Sequence, residues 1–272
     1  MKISLKRLLI QIFFFILQNP LLKNFTDGTI YTGRLKIACT PGLNCYSCPA
    51  AVLSCPIGAM QLFFAGVKHN ISLFVTGFLL SVGVVFGRLI CGYVCPMGLL
   101  QDLIYKIKSP KKVVRLKILR YIKYFILIIF VIMLPLMIRH ELSGLGEPWF
   151  CKFICPSGII FGAIPLLTFN PFLHDFVGIL FIIKLVIAIL IILISIIIYR
   201  PFCRILCPLG AIYALLNKIA ILRMRCDKEK CISCGDCEKV CKIMLEPSKK
   251  PNSPECIRCN ECKAACKQKA LK

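Results

Sequence analysis

Nineteen cysteines in a chain of 272 residues repeat with two short spacings that suit metal ligation. A C-x3-C-P-x-G pattern occurs at 91–98, 151–158 and 203–210, and a partial copy, CPIG, at 55–58. A Cys-Pro step can open a helix, because proline fits the first helical position and lacks the amide that would go unpaired there. The free N–H groups at that helix end favour a thiolate and the anionic iron–sulfur core that four thiolates hold. One motif supplies two ligands, so two copies would have to meet around each cluster.

Two sites are predicted from these motifs, one toward each face of a membrane. The ligands predicted for the inner site are Cys91, Cys95, Cys203 and Cys207. Those predicted for the outer site are Cys48, Cys55, Cys151 and Cys155. Because the repeat equivalent of Cys151 is Ala51, Cys48 fills that place, and Cys45 and Cys39 are weaker candidates. The two cysteines left over are interpreted as a redox-active thiol pair or extra cluster ligands, or else as a structural disulfide or idle thiols.

The tail, from about residue 219, is polar and carries two C-x2-C-x2-C-x3-C runs. This doubled spacing is typical of a domain with two [4Fe–4S] clusters, in which the fourth cysteine of each run binds the other cluster. The ligands predicted for one cluster are Cys231, Cys234, Cys237 and Cys266. Those predicted for the other are Cys256, Cys259, Cys262 and Cys241. Structural zinc is the alternative for both kinds of motif, and buried free thiols for the C-x3-C-P motifs; Cys226 has no predicted role.

The composition indicates a membrane protein. Hydrophobic residues make up 58% of the chain and the mean hydropathy is +0.80, which exceeds what a soluble core needs. Four spans are predicted, at 8–22, 71–86, 121–138 and 177–198. A short apolar segment follows each CPxG motif and is too short to cross a membrane. These segments are predicted to be half-helices that enter the membrane or lie on it, with plain amphipathic interface helices as the alternative.

Counts of Lys and Arg predict the orientation of the spans. Residues 1–7 carry three and residues 88–123 carry nine, whereas the opposing loops carry four (23–68) and two (139–174). The N-terminus and the tail of a multi-pass protein of the cell membrane are therefore predicted to lie in the cytoplasm. The net charge of +23 is attributed to these loops and to anionic lipid, not to nucleic acid, although it could also attract an acidic redox partner.

An internal repeat divides the predicted membrane domain. Each half reads as span, outer CPxG motif, short segment, span, inner CPxG motif and short segment. The predicted fold is mainly α, a polytopic bundle of four spans in two tandem repeats followed by a bacterial-type ferredoxin domain. The transmembrane cluster-binding domain is predicted over residues 1–218, with halves of about 1–110 and 111–218, and the ferredoxin domain over residues 219–272.

Three cations are predicted to stand close to the membrane clusters. Lys184 lies within the fourth span, where an ionisable group is costly and often functional; it either neutralises the outer cluster or extends to the membrane surface. Arg88 and Arg204 flank the inner cysteines. They either balance the charge of the inner cluster or mark the cytoplasmic side.

The motifs CGYVCPMG and CRILCPLG, together with the two ferredoxin runs, resemble those of the NapH/NosR/CcoG-type membrane polyferredoxins. The resemblance covers residues from about 70 to 272. It implies a protein that passes electrons between quinol, ferredoxin-like donors and periplasmic or metal-reducing partners. The third C-x3-C-P motif at Cys151–Pro156 and the run CYSCPAAVLSCPIG at Cys45–Gly58 depart from that family's pattern.

The predicted function is electron transport across a membrane. Electrons would enter the ferredoxin domain from a cytoplasmic donor, such as a ferredoxin or a reductase. They would leave the outer cluster for a thiol or disulfide, a metalloprotein or a quinone. The sequence shows no acid–base pair, nucleophile or nucleotide fingerprint, so any chemistry would be redox. The alternatives are a quinol/quinone oxidoreductase subunit and a factor that assembles or maintains metal centres.

Overall fold

The computed structural model describes residues 2–66, 69–114, 116, 118–139 and 145–271. Within those residues every regular element is a helix, and the extended pairings are isolated bridges. The prediction of a mainly α fold is therefore confirmed. Apart from short 3-10 helices at Leu22–Phe25, Arg34–Ile37 and Pro171–Phe176, the helices, in chain order, are α1 (Lys2–Gln18), α2 (Pro56–Phe64), α3 (His69–Phe86), α4 (Leu89–Tyr93), α5 (Pro96–Ile104), α6 (Leu119–Met137), α7 (Phe150–Ile154), α8 (Ile159–Phe169), α9 (Ile179–Ile197), α10 (Pro201–Ile205), α11 (Pro208–Leu216), α12 (Asp236–Lys239) and α13 (Glu261–Ala265).

Among the described residues, α6 and α9 are long and apolar enough to cross a membrane, judged by length and composition. Each has 19 residues, and the chain itself buries only 22% and 17% of their most apolar stretches. Side chains such as Ile128 and Ile182 are half exposed. Such wide apolar faces are unusual on a soluble protein. The helices α1 and α3 stand at the other two predicted spans, and the four-span tandem layout stays a prediction.

Three Cys-Pro steps open short helices, as the sequence predicts. Cys55, Cys95 and Cys207 each have an extended backbone and precede the proline that begins α2, α5 or α11. Each of these helices has nine residues, less than half of what a membrane span needs. At Cys155 the same Cys-Pro step instead ends the π-helical α7 before α8 begins. The four steps thus place cysteines at the ends of short helices that pack into the core.

The loop around Cys256 packs the tail against the helical part of the chain. The Asn217 side chain, just after α11, donates to the carbonyl oxygens of Ser253 at 2.8 Å and of Cys256 at 3.3 Å. A Cβ on Gly92 would lie 2.6 Å from the Ile257 carbonyl oxygen, so the two backbones approach more closely than any other residue at position 92 would allow. The second cysteine run of the tail therefore lies next to the inner C-x3-C-P motif.

Candidate metal centres

The four inner cysteines form one buried group: Cys91 and Cys203 lie within the short helices α4 and α10, and Cys95 and Cys207 directly precede α5 and α11. Electrostatic interaction links Cys207 with Cys203, Cys91 and Cys95. It also links Cys203 with Cys95 and Cys91. All four thiols belong to the main hydrophobic core. The structure therefore brings together the two motifs that the sequence analysis pairs.

Two arginines join the two motifs by matching contacts. Arg88 donates from Nη2 to the Cys203 carbonyl oxygen at 3.1 Å, and Arg200 donates from Nη1 to that of Cys91 at 2.5 Å. Each arginine stands three residues before the first cysteine of its own motif and contacts the first cysteine of the other. Arg204, predicted for this role, donates to the backbone of the loop before α6 instead. Aligning the two motifs on their cysteines would have found Arg200.

A buried acid fixes the position of Arg200. Asp102 accepts from Nε at 2.8 Å and from Nη2 at 2.5 Å, and it also accepts from Arg7 at 3.0 Å. Burial alone would raise the pKa of the Asp102 carboxyl, but Arg200 and Arg7 outweigh burial and lower it to about 2. The carboxylate therefore stays charged at neutral pH, and the guanidinium of Arg200 is held against the inner group.

The outer group contains three of the predicted cysteines and, beside them, Cys45. Electrostatic interaction links Cys155 with Cys151 and Cys45, and Cys55 with Cys155 and Cys45. The Cys45 Sγ also lies against Gly158, where a Cβ would be 3.4 Å away. Burial raises the pKa of the Cys55, Cys151 and Cys155 thiols, and the neighbouring thiolates raise it further. A metal core is the kind of partner that would hold such thiols in their charged form.

Cys48, the predicted fourth outer ligand, interacts electrostatically with Cys45 and lies in the small hydrophobic cluster against which Cys45 also packs. Its Sγ donates to the Phe161 carbonyl oxygen at 3.0 Å, whereas Cys45 interacts with Cys55, Cys151 and Cys155 as well. Cys39 is buried in the main core. The two spare cysteines, Cys39 and Cys48, thus lie in different clusters rather than side by side.

Lys184 on α9 contacts the outer group. Its Nζ donates to the Cys151 carbonyl oxygen at 3.1 Å, and a Cβ on Gly158 would lie 3.5 Å from it. Arg88 and Arg200 make the same kind of contact at the inner group, a cation on the carbonyl of a cysteine. The inner and outer thiol groups are therefore both flanked by positive charge, which favours an anionic core.

Two glutamines, which the sequence analysis missed, contact one sulfur in each group. Gln101 on α5 donates to the Cys203 Sγ at 3.1 Å. Gln61 on α2 donates to the Cys151 Sγ, also at 3.1 Å. Each stands six residues after the cysteine that opens its helix, and this shared spacing is the signal that the sequence offered.

One loop connects the inner and outer groups. The Leu43 N–H donates to the Cys95 Sγ at 3.4 Å, and Cys45 lies only two residues further along the chain. Two residues span at most about 7 Å. The two groups are therefore much closer together than the ~30 Å thickness of a membrane's hydrocarbon core. Tyr213, buried between them, interacts electrostatically with inner cysteines and with Cys55.

The tail cysteines pair across the two runs as the spacing predicts. Cys262 interacts electrostatically with Cys259, Cys256 and Cys241, so the fourth cysteine of the first run sits with the second run. Burial, with added repulsion from these thiolates, raises the pKa of the Cys256 thiol to about 11 and that of Cys262 to about 12. This set, the proximal tail group, is the one beside the inner motif.

The remaining tail cysteines form a second group. Cys226, without a predicted role, hydrogen-bonds to Cys231 and interacts electrostatically with Cys237 and Cys266. Cys234 is exposed. This distal tail group of predicted ligands (Cys231, Cys234, Cys237 and Cys266) therefore presents one cysteine at the surface.

An ion network connects the proximal tail group to the inner group. Glu255 accepts from Arg88 Nη1 at 2.9 Å and from Lys123 at 2.6 Å. Burial alone would raise the pKa of the Glu255 carboxyl, but Arg88 and Lys123 lower it below its ordinary value. Arg88 thus contacts the residue before Cys256 with one nitrogen and the Cys203 carbonyl with the other.

The donor sets are cysteines, the residues that hold [4Fe–4S] clusters through their thiolates. In the described ranges, no three His, Cys, Asp or Glu side chains are placed to hold a single metal ion. Backbone amides already point at some of these sulfurs, such as Gly210 N at 3.3 Å from the Cys207 Sγ. Such clusters supply one-electron transfer when bound.

Comparison with known proteins agrees with this chemistry. The family described as a 4Fe-4S binding domain matches residues 69–115 and 180–226, and each segment contains one inner motif. The methylamine utilization ferredoxin-type protein MauN of Methylorubrum extorquens is 25% identical over 198 residues, which cover 70% of this chain and 60% of MauN. No solved structure matches the chain. The narrower NapH/NosR/CcoG-type resemblance stays a prediction.

Two proteins of Methanocaldococcus jannaschii share most of the chain. The uncharacterized protein MJ0749 is 24% identical over 205 residues, which cover 71% of this chain and 67% of the relative. The uncharacterized protein MJ0750 is 31% identical over 197 residues, which cover 69% of this chain and 72% of the relative. The chain therefore belongs to the same family as MJ0750, and its two 4Fe-4S binding segments make it an iron–sulfur protein.

Proposed function

We propose that the chain carries electrons across a membrane, from a donor at the tail to an acceptor at the opposite face. The supporting observation is a series of four thiol groups, in which Cys237 and Cys266 of the distal tail group pack against the hydrophobic cluster that contains Cys262 of the proximal one. The proximal tail group is joined to the inner group by the Gly92–Ile257 backbone approach and by Arg88. The inner group is joined to the outer group by the 43–45 loop. Electron tunnelling falls steeply with distance, so this spacing suits a chain of one-electron carriers.

The four clusters of this proposal would be held by cysteines alone. Both tail groups keep the predicted ligands, and the inner group keeps Cys91, Cys95, Cys203 and Cys207. For the outer group we take Cys45, Cys55, Cys151 and Cys155, with Cys45 in the place first given to Cys48. The contacts of Cys45 with the other three support this choice.

The proposed topology follows the distribution of basic residues. The N-terminus, the loop after α5 and the tail would face the cytoplasm, and the loops with the outer group the other side. A soluble donor would then dock near the exposed Cys234 and Ile232. The acceptor would be a redox protein at the outer face. An exchange of disulfides is less favoured, because Cys39 and Cys48 are buried and lie apart.

Iron counting with EPR after anaerobic purification tests the proposal. Four clusters give about sixteen irons per chain, in proportion to four irons each. Stepwise reduction should resolve four cluster signals. About eight irons would mean that only the tail is loaded and would contradict the proposal. Labile iron that exchanges into another protein would instead favour a role in metal-centre assembly.

One observation favours a quinol/quinone oxidoreductase as a second candidate. A cavity of about 850 Å³ opens between α6, the end of α11 and the loop that precedes Cys256. Its lining includes Tyr121, Tyr124, Lys218 and Glu255. Two tyrosine rings beside several polar and charged side chains could hydrogen-bond a ring that carries two oxygens. The cavity lies beside the proximal tail group, so a bound quinol would be close to the electron path.

A cavity-filling variant separates this candidate from the first proposal. If quinol binds there, a short-chain quinol should bleach the iron–sulfur absorbance of the wild type, and Leu215→Trp should abolish that bleaching. Leu215 lines the cavity with a mostly exposed side chain, so the fold should tolerate the change. Reduction by dithionite serves as the control and should be equal in both proteins. No bleaching of the wild type by quinol would exclude this candidate.

A further inference from the structure

Gln61 and Gln101 occupy equivalent positions in two different thiol groups. Both side chains are buried, with 0% and 1% of their surface exposed. The corresponding positions of the second half, six residues after Cys155 and Cys207, hold Phe161 and Tyr213. Each membrane group therefore has one side-chain amide, supplied by the first half of the chain.

Every polar atom of the Gln101 amide has a defined partner. Its oxygen accepts from the Phe202 N–H at 3.1 Å. Its nitrogen donates to the Met97 carbonyl oxygen at 3.1 Å and to the Cys203 Sγ at 3.1 Å. Because the Phe202 N–H can only donate, the amide oxygen must face it and the NH2 must face the sulfur. The N–H···S bond is therefore fixed in direction by its surroundings.

Gln61 makes three equivalent contacts at the outer group. Its oxygen accepts from the Phe150 N–H at 2.9 Å, and its nitrogen donates to the Ile57 carbonyl oxygen at 3.3 Å and to the Cys151 Sγ at 3.1 Å. Phe150 and Phe202 each precede the cysteine that receives the bond. Because the same three contacts occur at both glutamines, they indicate a repeated structural feature rather than chance packing.

We propose that Gln61 and Gln101 are matched positioning residues, each of which fixes one ligand sulfur of its cluster and raises that cluster's reduction potential. The physical reason is charge. Reduction adds a negative charge to the cluster, and an N–H donor to a ligand sulfur is stronger when the acceptor is more negative. Hydrogen bonds to the sulfurs are among the features that set cluster potentials. The proposal rests on the proposed function, because it requires a cluster in both groups.

The test is a redox titration followed by EPR on anaerobically purified protein. Gln101→Met keeps the length of the side chain and removes the donor. At a fixed potential it should lower the ratio of reduced to oxidised inner cluster about tenfold, which is about 59 mV for a one-electron couple. The outer cluster should titrate as in the wild type. Gln61→Met should give the reverse result, so that each variant is the other's control.

Two further variants separate the sulfur contact from a merely structural role. Gln101→Leu also removes the donor and adds no charge, so the inner potential should fall about as far as in Gln101→Met. This variant also decides the matter if Gln101→Met fails to retain iron. Gln18→Leu removes a buried amide whose side-chain partners are the Val94 carbonyl and the Thr40 hydroxyl, and should shift neither potential.

The outcomes distinguish this inference from the proposed function. A wild type with about eight irons overturns both. About sixteen irons, with Gln101→Leu titrating like the wild type, overturns the inference and leaves the electron conduit intact. The inference would also be overturned if either methionine variant shifted the reduction potentials of both clusters equally. The glutamine would then act on the fold rather than on one sulfur.

Discussion

Replacing Cys45 with serine is expected to remove one cluster, so that the iron content falls from about sixteen to about twelve per chain. The reason is geometric. Cys45 interacts with Cys55, Cys151 and Cys155, and its Sγ lies over Gly158 in the turn after Cys155. A four-iron core that loses one of four thiolates loses its hold on the protein. Iron and sulfide counting, with EPR of the reduced protein, measures the loss.

Cys48→Ser is the matched control for this prediction. Cys48 lies three residues from Cys45 in the same loop, yet its Sγ bonds to the Phe161 carbonyl oxygen. The variant should keep all sixteen irons, and Cys55→Ser should behave like Cys45→Ser. If Cys48→Ser lost four irons and Cys45→Ser kept them, Cys48 would be the fourth outer ligand, and the proposal of Cys45 would be wrong.

Replacing Arg88 with methionine is expected to destabilise the protein by about 3–5 kcal/mol, the usual cost of removing one partner of a buried ion pair. Arg88 is fully buried, and its loss removes the cation from the Cys203 carbonyl and leaves Lys123 as the cation on Glu255 among the residues that the structure describes. The tail should also loosen from the inner motif. Thermal unfolding in detergent reports the first effect. The rate at which electrons pass from the tail to the inner cluster, followed by rapid freezing and EPR, reports the second.

Two further variants show whether the effect of Arg88→Met comes from the buried network. Lys239→Met removes an exposed lysine that pairs with Asp236 on the surface, and such pairs contribute less than about 1 kcal/mol. Adding Lys123→Met to Arg88→Met should lower the stability further, since the buried carboxylate of Glu255 then loses both of these cations. An Arg88→Met protein as stable as Lys239→Met, with electron transfer at the wild-type rate, would disprove the coupling.

The cysteine spacings were enough to predict much of the ligand chemistry. A C-x2-C-x2-C-x3-C run is constrained by the size of the cluster it binds, so the cross-pairing of Cys241 with the second run could be predicted. The Cys-Pro step fixes a local backbone geometry, and three of the four predicted helix starts are found. Both features depend on residues only a few positions apart.

Contacts between distant parts of the chain were harder to predict. The prediction of Cys48 over Cys45 as an outer ligand had no local basis, because both thiols precede Cys55 by a short loop and nothing local decides which of them turns inward. Arg200 was passed over for Arg204, which is adjacent to a cysteine in sequence but directed elsewhere. The two glutamines resembled ordinary polar residues of short helices. Their role depends on cysteines ninety and more residues away.

The sequence by itself determined that this is a mainly helical iron–sulfur protein whose ligands come as short cysteine motifs, because those motifs act over a single turn of backbone. The tertiary structure decided which motifs share a group, that the 43–45 loop keeps the inner and outer groups close, and that Arg88 joins the tail to the inner group. These contacts arise only when the two halves pack around a common core, where burying a cation or an amide requires a partner from another part of the chain.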